Sequence, residues 1–210
     1  MKLTIWALLT LAVLALGYLS VGLFVATQLS SPVHHPIEHT PTDEGLRFQE
    51  VGFESSDGLD LKGWWISQEG SSRAVVMVHG LDTSKSSQYV LDTAPIYAQA
   101  GYSVLMLDLR GHGESEGERT ILGYQEVRDV QRALSWLEEE KGFEPSEVVL
   151  HGWSMGGATV LRSAPGTGVA AVVEESSYAD LPLLLRDVLP EESGLPSFFN
   201  PASSLWPNSS

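Results

Sequence analysis

The chain has 210 residues and a formal net charge of −15 at pH 7, from 12 basic and 27 acidic side chains. Phosphate binding needs clustered Lys and Arg, so this balance argues against a nucleic-acid partner and favours a well-solvated acidic surface. The chain has no cysteine, which excludes disulfides, thiolate nucleophiles and cysteine-based zinc sites.

An uncharged apolar segment, Leu3 to Leu29, comes first and is long enough to cross a bilayer as a tilted helix. Lys2 precedes it and the next basic residue is Arg47, so the positive-inside rule leaves the N-terminus in the cytoplasm and the domain outside it. A cleaved signal peptide is the alternative, but its apolar region spans only about 7–15 residues. The sequence therefore predicts that residues 1–29 are a single-pass membrane anchor.

Residues 30–45 are proline-rich and are predicted to form an extended linker. His35 and His39 are four residues apart, a spacing that invites a metal-site interpretation. The proline-interrupted, solvated setting offers no preorganised site, so a simple tether is the preferred interpretation. The sequence implies no metal and no organic cofactor.

Residues 46–210 alternate strands with helices, which predicts a doubly wound, mostly parallel α/β sheet. The first two strands, separated by a turn at residues 56–58, are expected to pair as an antiparallel hairpin. The later strands are continuous apolar runs, typical of parallel strands covered on both faces. The predicted strands are 46–54, 59–67, Ala74–Val78, Val104–Leu107, Val148–Leu150 and Val169–Val173, and the predicted helices are Val90–Ala100, Ile121–Lys141 and Gly157–Leu161.

The segment Ile121–Lys141 is predicted to be an amphipathic crossover helix. One apolar stripe carries Val127, Val130, Leu134 and Leu137. Glu126 and Asp129 lie off this stripe, on the polar side of the helix.

The most informative motif is the run Gly152-Trp153-Ser154-Met155-Gly156, which joins an apolar strand to a helix. In this setting G-x-S-x-G predicts a nucleophile elbow, whose turn leaves no room for a Cβ at Gly152 or Gly156. Ser154 is then the candidate catalytic nucleophile. The N–H of Met155 is a candidate donor to an oxyanion.

A second candidate donor lies in His79-Gly80-Leu81, at the end of the first parallel strand. Acyl-transfer sites of this architecture take one oxyanion donor from the loop after that strand. Leu81 N–H is therefore the candidate, and Gly80 is expected to permit a close backbone approach. His79 is interpreted as an imidazole that orders the loop by hydrogen bonding.

The loop after the next strand reads Asp-Leu-Arg-Gly-His-Gly-Glu-Ser, residues 108–115. Together with His79-Gly80 and the elbow at residues 152–157, it closely resembles the α/β-hydrolase superfamily, in particular its serine aminopeptidase and monoacylglycerol-lipase-like branch. The resemblance extends from about Leu46 to Leu205. It implies the α/β-hydrolase fold, with His112 as a loop residue.

The same resemblance implies a site with Ser154 as nucleophile and the N–H groups of Leu81 and Met155 as the oxyanion hole. A serine nucleophile also needs a base, usually a histidine that follows it in this architecture. None of the six histidines follows Ser154. Glu174 and Glu175, after the last predicted strand, are interpreted as solvated strand-end charges.

The family continues with two more strands that carry the triad Asp and His, whereas this sequence stops in what resembles the lid region, residues 200–210. We therefore expect the domain to be C-terminally truncated and inactive as printed. Two functions remain open. One is a membrane-anchored serine hydrolase acting on a small-molecule, lipid or peptide ester, thioester or amide through acyl-Ser154. The other is a non-catalytic, membrane-anchored binding module.

Overall fold

The computed structural model describes residues 2–186, which divide into two units. Residues 31–178 form the larger unit, while helix α1 (Lys2–Leu29) and residues 179–186 belong to the other. Residues 187–210 lie outside the described part. The predicted lid segment, 200–210, and the end of the predicted domain therefore lie outside it too.

Helix α1 carries apolar side chains on every side and has no acidic residue in its first turn and no basic residue in its last. A helix that is hydrophobic all round suits a lipid environment. The stretch Thr4–Leu29, of 26 residues, is long and apolar enough to cross a membrane, and a signal sequence near the N-terminus shares these properties.

Six strands form one sheet in the larger unit, in the order β1-β2-β4-β3-β5-β6. The first two pair as an antiparallel hairpin, β2 also runs antiparallel to β4, and the remaining neighbours are parallel. The predicted α/β-hydrolase fold, with an N-terminal hairpin on a mostly parallel sheet, is confirmed. The strands are β1 (Gln49–Glu54), β2 (Asp60–Ile66), β3 (Ala74–Val78), β4 (Ser103–Leu107), β5 (Val148–Trp153) and β6 (Ala171–Glu175).

Helices cover both faces of the sheet. Helix α2 (Gln88–Gln99) packs on one face, and α3 (Val127–Trp136) and α4 (Met155–Ser163) pack on the other. The side chains of β3 and β4 are buried without exception, as their continuous apolar runs predict. The carboxyl ends of the central strands, where ligands bind in open α/β sheets, therefore rest on a rigid core.

The crossover helix is shorter than predicted, because α3 begins at Val127 instead of Ile121. The Glu126 carboxylate accepts hydrogen bonds from the N–H groups of Ile121 (2.9 Å) and Gly123 (2.8 Å) and from the hydroxyl of Thr120 (2.7 Å). These bonds stabilise a loop in place of the first helical turns. Glu126 is fully buried, so its predicted position on a polar face is wrong.

Strand β6 lies two residues later than the predicted strand Val169–Val173. Its register with β5 runs from Val149 opposite Ala171 to Trp153 opposite Glu175. Within residues 2–186 its only partner strand is β5. The shift sets Glu175 beside Trp153 at the carboxyl end of the sheet.

The predicted linker, residues 30–45, has a turn at 41–45 and otherwise no regular structure, yet it is held to the loops of the domain. The N–H of Val33 donates to the Asp82 carboxylate at 3.3 Å, and Nδ1 of His34 lies 2.9 Å from the carbonyl oxygen of Gly113. The segment is extended, as predicted for a linker, and it also bonds to two loops of the domain.

A buried lysine holds the loop that follows β4. Nζ of Lys85 pairs with the Asp108 carboxylate and, at 2.7 Å, with Glu114, and the N–H of Lys85 donates to Asp108 at 2.7 Å. The Lys85 and Asp108 side chains have no solvent exposure. A Cβ at Gly113 would overlap the Asp108 carboxylate, so this glycine lets the loop fold directly over the ion pair.

A second buried cation, Arg110, ties the same loop to the rest of the domain. Its guanidinium binds Asp129 of α3 at 2.6 Å and Asp57 of the β1–β2 turn at 2.8 Å. The hydrogen bonds from Arg110 hold the pKa of Asp57 well below its usual range. Asp129 is fully buried, so its predicted place on the polar side of the helix is also wrong.

One buried and one exposed Lys–Asp pair provide a test of how much the buried ion pair stabilises the domain. Lys85→Ala leaves Asp108 charged, buried and without its cation, so we expect a loss of about 3–5 kcal/mol in the free energy of unfolding. Lys62→Ala removes a pair with Asp60 whose side chains are 40% and 50% exposed, and should cost about 0–1 kcal/mol. Urea unfolding of the full chain in uncharged detergent measures both, and equal losses would contradict the assignment.

Candidate active site

Ser154 occupies the turn between β5 and α4 with a strained main chain. Its φ is 51° and its ψ −116°, a conformation that is costly for a residue with a Cβ and that concentrates at functional sites. Two main-chain bonds hold it there: its N–H donates to Glu175 at 2.8 Å, and its carbonyl accepts from Ala158 at 3.0 Å. The Ser154 side chain is exposed although its neighbours on both sides are buried.

Glycines allow the turn to close. A Cβ at Gly152 would lie 2.7 Å from the nitrogen of Gly157, and a Cβ at Gly156 would overlap the carbonyl oxygens of Val78 and His79. Helix α4 therefore begins directly against the end of β3. At Gly80, in contrast, a Cβ would meet Ser154 Cβ at 3.4 Å, which is ordinary contact. A glycine is therefore not required here to make room for a Cβ, and the role of Gly80 in a close backbone approach stays a prediction.

Two main-chain donors flank Ser154 without being used elsewhere. Among residues 2–186, the N–H groups of Leu81 and Met155 have no hydrogen-bond acceptor. Met155 is the first residue of α4, where N–H groups have no partner within the helix. Its side chain is buried, and its sulfur accepts from the Thr120 hydroxyl at 3.5 Å.

A cleft of about 270 Å³ opens at Ser154. It brings the two sequence motifs together, because the loop after β3 and the elbow both contribute to its wall. Its lining residues are Gly80, Leu81, Thr83, Tyr89, Trp153, Ser154, Glu175 and Ser176.

The loop after β3 is ordered by side chains that the sequence analysis did not single out. The hydroxyl of Tyr89 accepts the N–H of Gly80 at 3.0 Å, and Thr83 donates to the carbonyl of Gly80 at 2.9 Å. The two hydroxyls lie 2.9 Å apart. These bonds hold Gly80, and with it Leu81, at the mouth of the cleft.

His79 orders the same loop from beneath. Its Nδ1 lies 2.7 Å from the carbonyl of Gly80, and its Nε2 accepts the N–H of Leu109 at 3.1 Å. Burial lowers the pKa of His79 to about 4, so the ring is neutral near pH 7. Since both ring nitrogens are occupied, the interpretation of His79 as a loop-ordering imidazole is confirmed.

The other two histidines of the core have a partner on at least one ring nitrogen. His112 is buried within its loop, as expected of a loop residue, with Nδ1 2.9 Å from the carbonyl of Arg110 and with no hydrogen-bond partner for Nε2 among the described residues. His151 contacts Glu175 and Tyr97, and it precedes Ser154 by three residues of strand, a rise of about 10 Å. Within the described residues, no side chain forms a hydrogen bond with the Ser154 hydroxyl.

Residues 75–209 match the α/β-hydrolase family. The chain belongs to this family. Two crystal forms of an esterase from Pyrococcus furiosus superpose with TM-scores of 0.72 and 0.67, at 24% and 27% identity. They cover 84% and 82% of this chain and 68% and 69% of the esterase.

Curated relatives are similar over shorter spans. A thiohydrolase of Aspergillus aculeatus is 33% identical over 128 residues, which is 60% of this chain and 40% of the thiohydrolase. A polyketide transferase of Stachybotrys chlorohalonatus is 30% identical over 166 residues, which is 72% of this chain and 55% of the transferase. The chain thus spans about half the length of these relatives.

The steric argument for the elbow makes a paired prediction. Gly156→Ala forces a methyl group into two carbonyl oxygens, so we expect a loss of at least about 1–3 kcal/mol in the free energy of unfolding. Gly80→Ala meets only ordinary contacts and should change it by less than about 0.5 kcal/mol. Thermal melts of the full chain compare the two variants, and a Gly156→Ala protein as stable as the parent would refute this packing.

Proposed function

We propose that the chain is a serine hydrolase in which Ser154 attacks an ester, thioester or amide carbonyl. The observation that carries this proposal is the strained main chain of Ser154, with φ at 51°, at the floor of an open cleft. Such strain persists only where the surrounding structure imposes it. Here Gly152 and Gly156 impose it, and the result is an exposed Ser154 hydroxyl near two N–H donors that have no acceptor among residues 2–186.

In the proposed reaction the Ser154 oxygen bonds to the carbonyl carbon, and the carbonyl oxygen becomes an oxyanion. The N–H groups of Leu81 and Met155 would donate to this oxyanion, a contribution worth roughly 2.7–4 kcal/mol for one such donor in a related site. The leaving group departs with a proton and leaves an acyl-Ser154 ester. Water then hydrolyses that ester and regenerates the serine.

The proton of the Ser154 hydroxyl needs an acceptor, and none of the described histidines forms a hydrogen bond with that hydroxyl. No histidine occurs among residues 155–210. General-base assistance is typically worth about 10²–10⁴-fold in rate. The 210-residue chain by itself is therefore proposed to turn over slowly, with residual catalysis from the oxyanion donors alone.

The absence of a bonded base on Ser154 within the described residues also favours a second candidate function. In this alternative the domain is a non-catalytic, membrane-anchored module that binds a ligand in the same cleft. The two candidates differ in whether Ser154 can be acylated.

The substrate is proposed to be a small-molecule, lipid or peptide acyl compound, with no nucleic-acid partner. The thiohydrolase, polyketide transferase and esterase among the similar proteins support acyl chemistry. The three motifs at residues 79–80, 108–115 and 152–157 support the serine aminopeptidase and monoacylglycerol-lipase-like branch.

A fluorophosphonate probe tests the nucleophile directly. We expect the full chain to be labelled at Ser154 and Ser154→Ala to lose the label. Ser176→Ala, which removes the other serine hydroxyl lining the same cleft, should keep it. Labelling that survives Ser154→Ala would contradict the proposal, whereas no labelling of the parent at any probe concentration would favour the binding module.

We also propose that residues 1–29 anchor the protein in a membrane, with residues 30–45 following as a connecting segment and residues 46–210 as the hydrolase domain. The apolar stretch Thr4–Leu29 supports the anchor. Lys2 at its cytoplasmic end supports an orientation with the domain outside the cytoplasm.

Protease accessibility tests this orientation. Protease added to intact spheroplasts should degrade the domain, and the mass of the protein from untreated membranes should include residues 1–29. Degradation only after permeabilisation would reverse the orientation. A mature protein that lacks the apolar segment would identify a cleaved signal peptide instead.

A further inference from the structure

The wall of the Ser154 cleft combines two aromatic rings with one carboxylate. Tyr89 and Trp153 lie with ring centroids 5.2 Å apart and planes at 57° to each other. Glu175 is the register partner of Trp153 on the neighbouring strand, so both side chains stand on the same face of the sheet. All three residues line the cleft with Ser154.

The Glu175 carboxylate is oriented by a chain of hydrogen bonds. Its Oε1 lies 2.9 Å from Nε2 of His151, whose Nδ1 lies 3.0 Å from the hydroxyl of Tyr97. The His151 ring stacks on Trp153 with centroids 4.0 Å apart. A Tyr97 hydroxyl that donates to Nδ1 leaves the proton on Nε2, which donates to Glu175.

This arrangement leaves the carboxylate charged and able to accept another partner. Burial lowers the pKa of His151 and outweighs the opposing effect of Glu175, so the imidazole is neutral near pH 7 and does not cancel the negative charge. The Glu175 side chain is 53% exposed. One carboxylate oxygen is engaged by His151, and the other is available to a ligand.

The charge on the cleft lining is negative. Among the described residues that line it, Glu175 alone is charged, and the whole chain carries −15. A cation over the face of Trp or Tyr is attracted by the ring quadrupole, and quaternary ammonium groups are recognised in this way. Two aromatic rings beside a carboxylate therefore suit a ligand that is both apolar and positively charged. His151 covers one face of Trp153, so the ligand would contact the remaining surface of this ring.

We propose that this cleft selects substrates with an ammonium group, which binds against Tyr89, Trp153 and Glu175 while the acyl carbonyl meets Ser154. The proposal rests on the proposed hydrolase function and names its substrate class: esters or amides that carry a compact cation. A volume of about 270 Å³ suits a small ligand such as a trimethylammonium group with a short acyl chain, since it lies just below the usual range of ligand pockets, about 300–1,000 Å³.

An isosteric pair of ligands tests the proposal by binding. The probes are acetylcholine and its uncharged isostere with carbon in place of the quaternary nitrogen, titrated calorimetrically into the full chain carrying Ser154→Ala in uncharged detergent. We expect acetylcholine to bind about tenfold more tightly than the uncharged isostere. This ratio corresponds to the combined free energy of a cation–aromatic contact and a solvent-screened ion pair.

Two carboxylate variants test whether the charge of Glu175 causes the preference for acetylcholine. Glu175→Gln removes the charge but can still accept a hydrogen bond from His151, and it should bring the two affinities to within about twofold. Glu174→Gln is the matched control, because Glu174 lies outside the cleft lining and accepts the N–H of Ser177 at 3.1 Å. It should keep the tenfold preference.

Equal affinities in the parent, a preference unchanged by Glu175→Gln, or no binding of acetylcholine at millimolar concentration would each overturn the ammonium site. These outcomes are independent of acylation, since Ser154 is absent from the titrated protein. Fluorophosphonate labelling that fails while the tenfold preference stands would instead overturn the hydrolase function and leave a cation-binding module.

Discussion

The rest of the site depends on the close approach of helix α4 to the end of strand β3. Gly156 has no space for a Cβ against Val78 and His79, and Gly152 has none against the start of the helix. Both glycines are packed against neighbouring main-chain atoms, which restricts the conformation of the residues between them. Ser154 adopts the positive φ that this turn requires. The exposed hydroxyl follows directly from that turn, as does the N–H of Met155, which has no acceptor among residues 2–186.

Buried charges give the carboxyl edge of the sheet its rigidity. Lys85 and Asp108 hold the loop after β4, and Arg110 connects that loop to Asp57 and Asp129. Breaking a buried pair is costly, because the remaining charge is left without solvent or partner. The geometry of this edge thus depends on ion pairs as well as on packing, and the motif at residues 108–115 serves mainly this structural purpose.

Local sequence patterns were sufficient to predict the sheet and the turn at Ser154. Strand β3 is found at its predicted limits because Ala74–Val78 is apolar throughout and is covered on both faces. The glycine spacing around Ser154 predicted the turn, since a missing Cβ is a property of the sequence itself. The hydrogen bonds of His79 likewise match the interpretation drawn from its position at a strand end.

Features that depend on side-chain partners in the loops were not predictable in this way. Periodicity assigned Glu126 and Asp129 to a polar face, although Glu126 is buried by the loop directly before its helix and Asp129 by Arg110 of another loop. The apolar run that suggested the last strand starts two residues too early, so Glu175 was interpreted as a solvated charge. Its pairing with His151 and its place in the cleft come from strand register, which only the folded sheet reveals.

Ser154 is proposed as the nucleophile, and within the described residues no base is hydrogen-bonded to its hydroxyl. Acylation by an activated ester, followed by mass spectrometry of the Ser154 peptide with increasing imidazole, measures this directly. The account predicts slow acylation that accelerates in proportion to imidazole, a small external base, and that occurs at Ser154 alone. Rapid acylation that is indifferent to imidazole, or acylation at other residues only, would contradict it.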